Sequence, residues 1–246
     1  MKVNHRITDF VQRLGTSVGL HVTRADNTLA FKRQSFLRSL GIDVVLDIGA
    51  NVGNYVTELR AHGYQNRIVS FEPIAAVFES LRSRCAPDAA WSGVNMALGD
   101  TDGRTEINVS HNLVSSSLLE VTAASVDAAN LTAINSVESI QVSRLDTMAA
   151  ATFSDRERVY MKIDVQGFER QVLNGAANSL HQIAAIELEL SLVELYSGQA
   201  LMPEMLTLAS QLGYRPVWLE RGFKDPNSGY LLQMDGIFVR NDLAAK

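Results

Sequence analysis

Two acids and the turn between them carry the first chemistry that this sequence can do. The apolar run Val44-Val45-Leu46-Asp47-Ile48 passes straight into Gly49-Ala50-Asn51-Val52-Gly53, and a second run, Arg67 to Phe71, ends at Glu72-Pro73. A buried strand that ends in an acid and a glycine-punctuated turn, then opens a helix, is how α/β sheets hold nucleotides. The glycines let the backbone approach the ligand, and a carboxylate closing the next strand can accept hydrogen bonds from a ribose diol. The turn is not the Gly-x-Gly-x-x-Gly of dinucleotide binding, because its second and third glycine positions fall on Asn51 and Asn54. No Gly-Lys-Ser/Thr follows, so a phosphate-binding P-loop is excluded as well. A polar, acid-led loop suits a ligand with an amino group and a cationic centre better than a polyphosphate.

Three more groups stand where chemistry is expected. Asp164 ends the apolar run Val159 to Ile163, and an acid there needs a partner or a function. It either serves a site at the carboxyl end of the sheet or caps the helix that starts near Phe168. In Ile186-Glu187-Leu188-Glu189-Leu190 the alternation puts both acids on one strand face, although a central parallel strand is normally apolar on both faces. They either pair with basic residues on a helix or serve the site, and Glu189 lies nearer the carboxyl end. With Asp164, Glu189 would offer hard oxygen ligands to Mg²⁺. His111, just before Ser115-Ser116-Ser117, is an alternative general base. His62 and His181 fall near helix ends, where carbonyls are the expected partners.

Strand and helix signals alternate, as a parallel sheet requires. Strands are expected at 44–48, 67–71, 91–98, 105–109, 159–164, 183–190 and 215–219, with 236–240 returning antiparallel. Helices are expected at 55–62, 76–84, 168–174 and 204–212. The stretch 110–137, rich in Ser, Ala and Asn, reads as loops covering the active-site end. Residues 41–246 form one domain, and 1–40 a helical extension.

The chain has 246 residues, is 46% hydrophobic and has a single cysteine, Cys85. That length and apolar content can bury a large core. One cysteine excludes an internal disulfide and a multi-cysteine zinc cluster and fits a reducing, cytoplasmic setting. No apolar leader follows Met1-Lys2, and no run reaches the roughly 18 apolar residues of a membrane span. The net charge of −5 is uneven: seven basic residues and two acids within 1–40 leave +5 there and −10 on the rest. An acidic body without a basic–aromatic patch argues against nucleic acid as a partner. Val3, Ile7, Phe10, Val11, Leu14 and Val18 form an apolar stripe with basic flanks. A helix packed on the domain is expected, with peripheral contact to anionic lipid as the alternative.

Asp47-Ile48-Gly49-Ala50-Asn51-Val52-Gly53, Phe71-Glu72-Pro73 and Lys162-Ile163-Asp164-Val165-Gln166-Gly167-Phe168-Glu169 stand in this order. Between them lie Asn95-Met96-Ala97-Leu98-Gly99-Asp100, Ser115-Ser116-Ser117-Leu118 and Arg144-Leu145-Asp146. The set resembles the FkbM family of class I S-adenosylmethionine-dependent methyltransferases over residues 42–240. Gln166 and Phe168 depart from it, standing where the family more often has Glu and a smaller residue. The resemblance implies a Rossmann-like α/β fold, a seven-stranded mostly parallel sheet with a C-terminal antiparallel hairpin. It implies S-adenosylmethionine as cofactor, held by Asp47, Gly49, Asn51, Gly53 and Glu72, with Asn95 bordering the adenine. It further implies O-methylation of a small-molecule or glycolipid acceptor, with Asp164 at the reacting centre. The competing readings are a polyketide or amine acceptor, or a cofactor-binding partner without catalysis.

Overall fold

The computed structural model describes residues 10–11, 13–14, 16–19, 28–129 and 132–244, so Val3 and Ile7 of the N-terminal stripe lie outside it. Its centre is a seven-stranded sheet built from β1 (Val44–Ile48), β2 (Arg67–Phe71), β3 (Trp91–Val94), β7 (Val159–Ile163), β8 (Ile183–Ser191), β9 (Tyr214–Arg221) and β10 (Gln233–Arg240). The order is β3-β2-β1-β7-β8-β10-β9, parallel except for β10, which runs antiparallel to both neighbours. β1 and β7 are buried at every position, which is why both read as near-continuous apolar runs, broken only by Asp47 and Lys162, rather than alternating ones.

Seven α-helices accompany the strands from Leu29 onward. They are α1 (Leu29–Ser39), α2 (Asn54–Ala61), α3 (Ala75–Cys85), α4 (Ala123–Ala128), α5 (Leu145–Thr152), α6 (Glu169–Gly175) and α7 (Met202–Gln211). One sheet face packs Leu46, Met161 and Ile186 against Leu145, Val172 and Met205. The other packs Val45, Ile68 and Ala185 against Leu37, Val56 and Leu81.

Two sequence expectations change. The expected third strand divides: β3 stays in the main sheet, while β4 (Ala97–Leu98) pairs with Val142 and Ser143. The last four residues of the expected loop region, 134–137, belong instead to β6 (Ile134–Ser143), which pairs antiparallel with β5 (Gly103–Ser110) to make a second, three-stranded sheet. Residues 134–137 of β6 are exposed and 140, 142 and 143 buried, so the half of the strand read as loop carries no buried alternation.

Glu187 breaks the apolar run of β8 inside the second core. Arg33 of α1 donates from Nε to its Oε2 at 2.7 Å, Tyr160 donates at 2.7 Å and Tyr55 at 3.0 Å. Arg33 also pairs with Glu58. Burial pushes the Glu187 carboxyl up, but Arg33 and the donated hydrogen bonds prevail and hold it below its usual range. The pairing of this acid with a helix cation, one of the two readings of the sequence, is what the fold contains. α1 is therefore wired into the sheet, whereas Phe10, Val11, Leu14 and Val18 are exposed rather than packed on the domain. Removing one partner of a buried pair leaves an uncompensated charge, which costs about 3–5 kcal/mol. Arg33→Met is expected to lose that much unfolding free energy in urea. Glu187→Gln should return part of the loss in the double variant; an undiminished loss there would mean that packing by Arg33, not charge, is what matters.

Candidate active site

The carboxyl ends of β1 and β7 lie side by side, with Asp47 opposite Lys162 and Ile48 opposite Ile163. Gly49 follows with φ 77°, and a Cβ there would sit 1.9 Å from the Asp164 carbonyl oxygen. Only glycine lets the turn pass so close to β7. Asn51, also left-handed at φ 47°, donates its backbone N–H to Glu72 Oε2 at 3.0 Å, and Ile74 N–H donates to Glu72 Oε1 at 2.9 Å. Glu72 is buried, and burial pushes its carboxyl up to about 7 despite both bonds. A carboxylate offers about four lone-pair sites, so two remain for a ligand.

These groups open on a cleft of about 660 Å³, part of it continuous with solvent. Gly49, Asn51, Glu72 and Asp164 line its polar side; Phe71, Ile74, Met96, Leu98, Ile107 and Phe168 line its apolar side. The segment 113–118 covers it, as expected for that part of the loop region, with Asn51 Nδ2 donating to the Leu113 carbonyl at 3.4 Å.

Lys162 is the group that sequence reading passed over. Its Nζ lies 3.3 Å from Asp47 Oδ1, 3.4 Å from Asp164 Oδ2 and 3.2 Å from the Gly49 carbonyl oxygen. Burial works against its charge, but Asp164, Asp47 and Glu187 outweigh burial and raise it above the ordinary lysine value. A lysine inside the otherwise apolar strand Val-Tyr-Met-Lys-Ile was the available signal. Asp47 is fully buried and outside the cleft lining; it accepts from Ser70 Oγ at 3.3 Å and anchors Lys162.

Asp164 keeps 40% of its side chain exposed on the cleft side. It does not cap α6. Glu169 closes that turn instead, its Oε1 accepting from Val165 N–H at 3.2 Å and Gly167 N–H at 3.1 Å. Glu189 stands close by but is held by amides: Gln166 Nε2 donates to its Oε2 at 3.0 Å and Gln233 Nε2 at 2.7 Å. Burial, then Asp164, Glu169 and Asp235, push its carboxyl well above the ordinary range.

The expected Mg²⁺ position does not fit these residues. One amide spans Asp164 and Glu189, and among the described residues no three acid, histidine or cysteine groups could hold a metal ion. His111 is exposed and lies outside the cleft lining. The turn closed by Leu113 N–H and the Ser110 carbonyl leaves residues 113–118, not 111, on the cleft. Gly53 is buried at the start of α2 with φ 85°, where a Cβ would meet Leu81 and Cys85. Asn95 braces the chain around Glu72, donating to the Glu72 and Pro73 carbonyls at 2.9 Å. Neither lines the cleft. Of the sequence-selected residues, Gly49, Asn51, Glu72 and Asp164 come together there.

A sheet of this order with an antiparallel last hairpin, an acid-led glycine turn after β1 and an acid after β2 defines a class I methyltransferase. The model of the methyltransferase FkbM domain matches residues 47–216. The chain belongs to that family and is an S-adenosylmethionine-dependent methyltransferase. Among solved structures it is similar to an rRNA methylase from Streptococcus thermophilus at 9% identity, covering 88% of this chain and 99% of that one, TM-score 0.47. It is similar to magnesium protoporphyrin IX methyltransferase from Synechocystis PCC 6803 at 10% identity, covering 98% and 86%, TM-score 0.46. A third is the 1,6-didemethyltoxoflavin-N1-methyltransferase of Burkholderia thailandensis at 14% identity, covering 98% and 92%, TM-score 0.45. Among curated proteins none matches the chain.

The cofactor suits the cleft on the chemistry of its donors. Glu72 has unused lone pairs for a diol, and the apolar wall accepts a flat heterocycle. New donors favour the ionised carboxylate, so binding should draw Glu72 down from about 7 and release a proton. S-adenosylhomocysteine affinity is expected to weaken as pH falls below about 7 and to lose that dependence in Glu72→Gln. Calorimetry in two buffers of different ionisation enthalpy reads the proton directly; zero net release near neutral pH contradicts the assignment.

Proposed function

We propose that this protein transfers a methyl group to a hydroxyl of a sugar, carried on a glycolipid or another secondary-metabolite glycoside. The observation that carries the reading is Asp164: a part-exposed carboxylate on the cofactor cleft, gripped from behind by Lys162. Gly49, Asn51 and Glu72 hold the cofactor, while Asp47, Gly53 and Asn95 shape the loops that present them. S-adenosylmethionine supplies a methyl group already activated by its sulfonium charge. What remains for the chain is alignment and proton removal. Alignment of this kind can supply about 7–11 kcal/mol. An alcohol is a poor nucleophile at neutral pH, and Asp164 accepts its proton.

A polyketide or amine acceptor, or a cofactor-binding partner without catalysis, is the competing reading. No Asn/Asp-Pro-Pro-Tyr segment of many amino-methylating enzymes occurs, which favours oxygen. Asp164→Asn is expected to lower turnover by about 10²–10⁴-fold with S-adenosylhomocysteine affinity kept and with no loss in EDTA for the wild type. Mass spectrometry of a panel of glycosides, polyketides and amines reads the acceptor class. Unchanged turnover in the variant removes Asp164 as base; cofactor binding without methylation of any panel member favours the partner reading.

The N-terminal segment favours an acceptor at a membrane surface in a cytoplasmic setting. Phe10, Leu14 and Val18 are 67%, 59% and 67% exposed within a segment of charge +5 on an otherwise acidic chain. No helix among the described residues is long and apolar enough to cross a membrane, so the contact is peripheral. Phe10→Asp with Leu14→Asp is expected to abolish flotation with phosphatidylglycerol vesicles. Wild-type protein that stays at the bottom of the gradient ends the membrane reading.

A further inference from the structure

We infer that Gln166 is the positioning residue of the reacting centre; the inference rests on the reading of Asp164 as proton acceptor. Every polar atom of the Gln166 side chain is engaged. Its Nε2 donates to Asp164 Oδ1 at 2.7 Å and to Glu189 Oε2 at 3.0 Å, and its Oε1 accepts from the Tyr196 hydroxyl at 2.7 Å. Its main-chain carbonyl accepts from Ser117 Oγ at 2.7 Å. One residue thus joins the carboxylate on the cleft, the half-buried acid Glu189 of β8, and the segment that covers the cleft.

The backbone indicates that this side chain is selected for more than a turn. Gln166 has φ 54° beside Gly167 at φ 97°. A turn chosen for conformation alone favours glycine or asparagine in that region. The conformation is held from both sides of the residue, by Glu169 accepting from Val165 and Gly167. Tyr196 is fixed in turn, because Val121 bridges to it and its backbone N–H donates to Gln199 Oε1 at 2.7 Å.

The chemistry requires an amide. Asp164 is gripped at Oδ2 by Lys162 and at Oδ1 by Gln166, which fixes the plane of the carboxylate. Rotation about its last torsion would otherwise be broad. The same NH₂ group separates two carboxyl groups that would repel each other if both were charged. A carboxylate at position 166 would have no proton to give either neighbour, and an apolar side chain would release both.

Gln166→Met and Tyr196→Phe in the full-length protein test this. Each variant should keep S-adenosylhomocysteine affinity within about threefold of wild type, since neither atom removed belongs to the cofactor-holding set. Crystal structures of the complexes are expected to show the Asp164 carboxylate turned out of its wild-type plane, with the main chain at 164–168 unmoved. On an accepted hydroxyl, kcat should fall by about 10²-fold in Gln166→Met, the scale of a misplacement near 1 Å, and less in Tyr196→Phe, with the KM for S-adenosylmethionine unchanged. An Asp164 carboxylate that stays in its wild-type plane in both complexes overturns the inference. The crystallographic arm needs no acceptor, so a wrong acceptor class and a wrong role for Gln166 give different results. Should Gln166→Met fail to fold, Tyr196→Phe, which deletes one oxygen, decides alone.

Discussion

The ammonium of Lys162 is the charge around which this site is built. Removing an ion from water costs several kcal/mol even after relaxation. Two carboxylates within 3.4 Å each return about 4 kcal/mol at an effective dielectric near 20. Solvent screening reduces the pull of Asp164, which keeps 40% of its side chain exposed. The balance keeps the lysine charged, and a charged lysine in turn fixes three things at once. It holds Asp47 at the end of β1, the Gly49 carbonyl at the start of the glycine turn, and Asp164 at the end of β7. The proposed cofactor loop and the proposed proton acceptor therefore share one support. Tyr55, whose ring lies 5.3 Å from the ammonium, links that support to the next layer, because its hydroxyl donates to Glu187.

That next layer explains why α1 matters to a site it does not touch. Arg33 answers Glu187, which lies one position along the same face of β8 from Glu189, in the period-2 sense. Without the guanidinium, Glu187 would be an uncompensated buried carboxylate. The family match begins at residue 47, so the cation that completes this layer comes from outside it. Leu37, Leu40 and Ile42 are buried in the same core. A boundary at residue 40 thus follows composition, while the packed structure already includes residues from 29 onward.

Local chemistry was legible where a residue acts through its own conformation. The Gly49–Gly53 turn, the acid after β2 and the helix boundaries within about two residues all follow from patterns a few positions long. β6 was not legible: its pairing with β5 satisfies its backbone, while its exposed first half carries no apolar alternation. Asp47 and Asn95 were selected as ligands by the company they keep in sequence. The fold places both outside the cleft lining, because the strand face and the loop direction that decide contact with the cleft are tertiary facts. His111 stands off the cleft for a related reason. One residue of turn geometry separates the exposed position 111 from the lining positions beyond it.

Position 166 shows how a departure from a family pattern can carry information. The motif there more often has glutamate, and glutamine has the same length. The neighbours of position 166 distinguish the two. Asp164 and Glu189 both present oxygen to position 166, and two acceptors need a donor between them. Glutamine supplies two N–H bonds and still accepts from Tyr196; ionised glutamate supplies none. The desolvated carboxyl of Glu189 is already pushed well above its ordinary range, and a third acid would raise the repulsion further. The amide relieves that repulsion without adding charge. It leaves Lys162 as the cation facing Asp164, and so ties the residue that departs from the pattern to the one interaction on which the site depends.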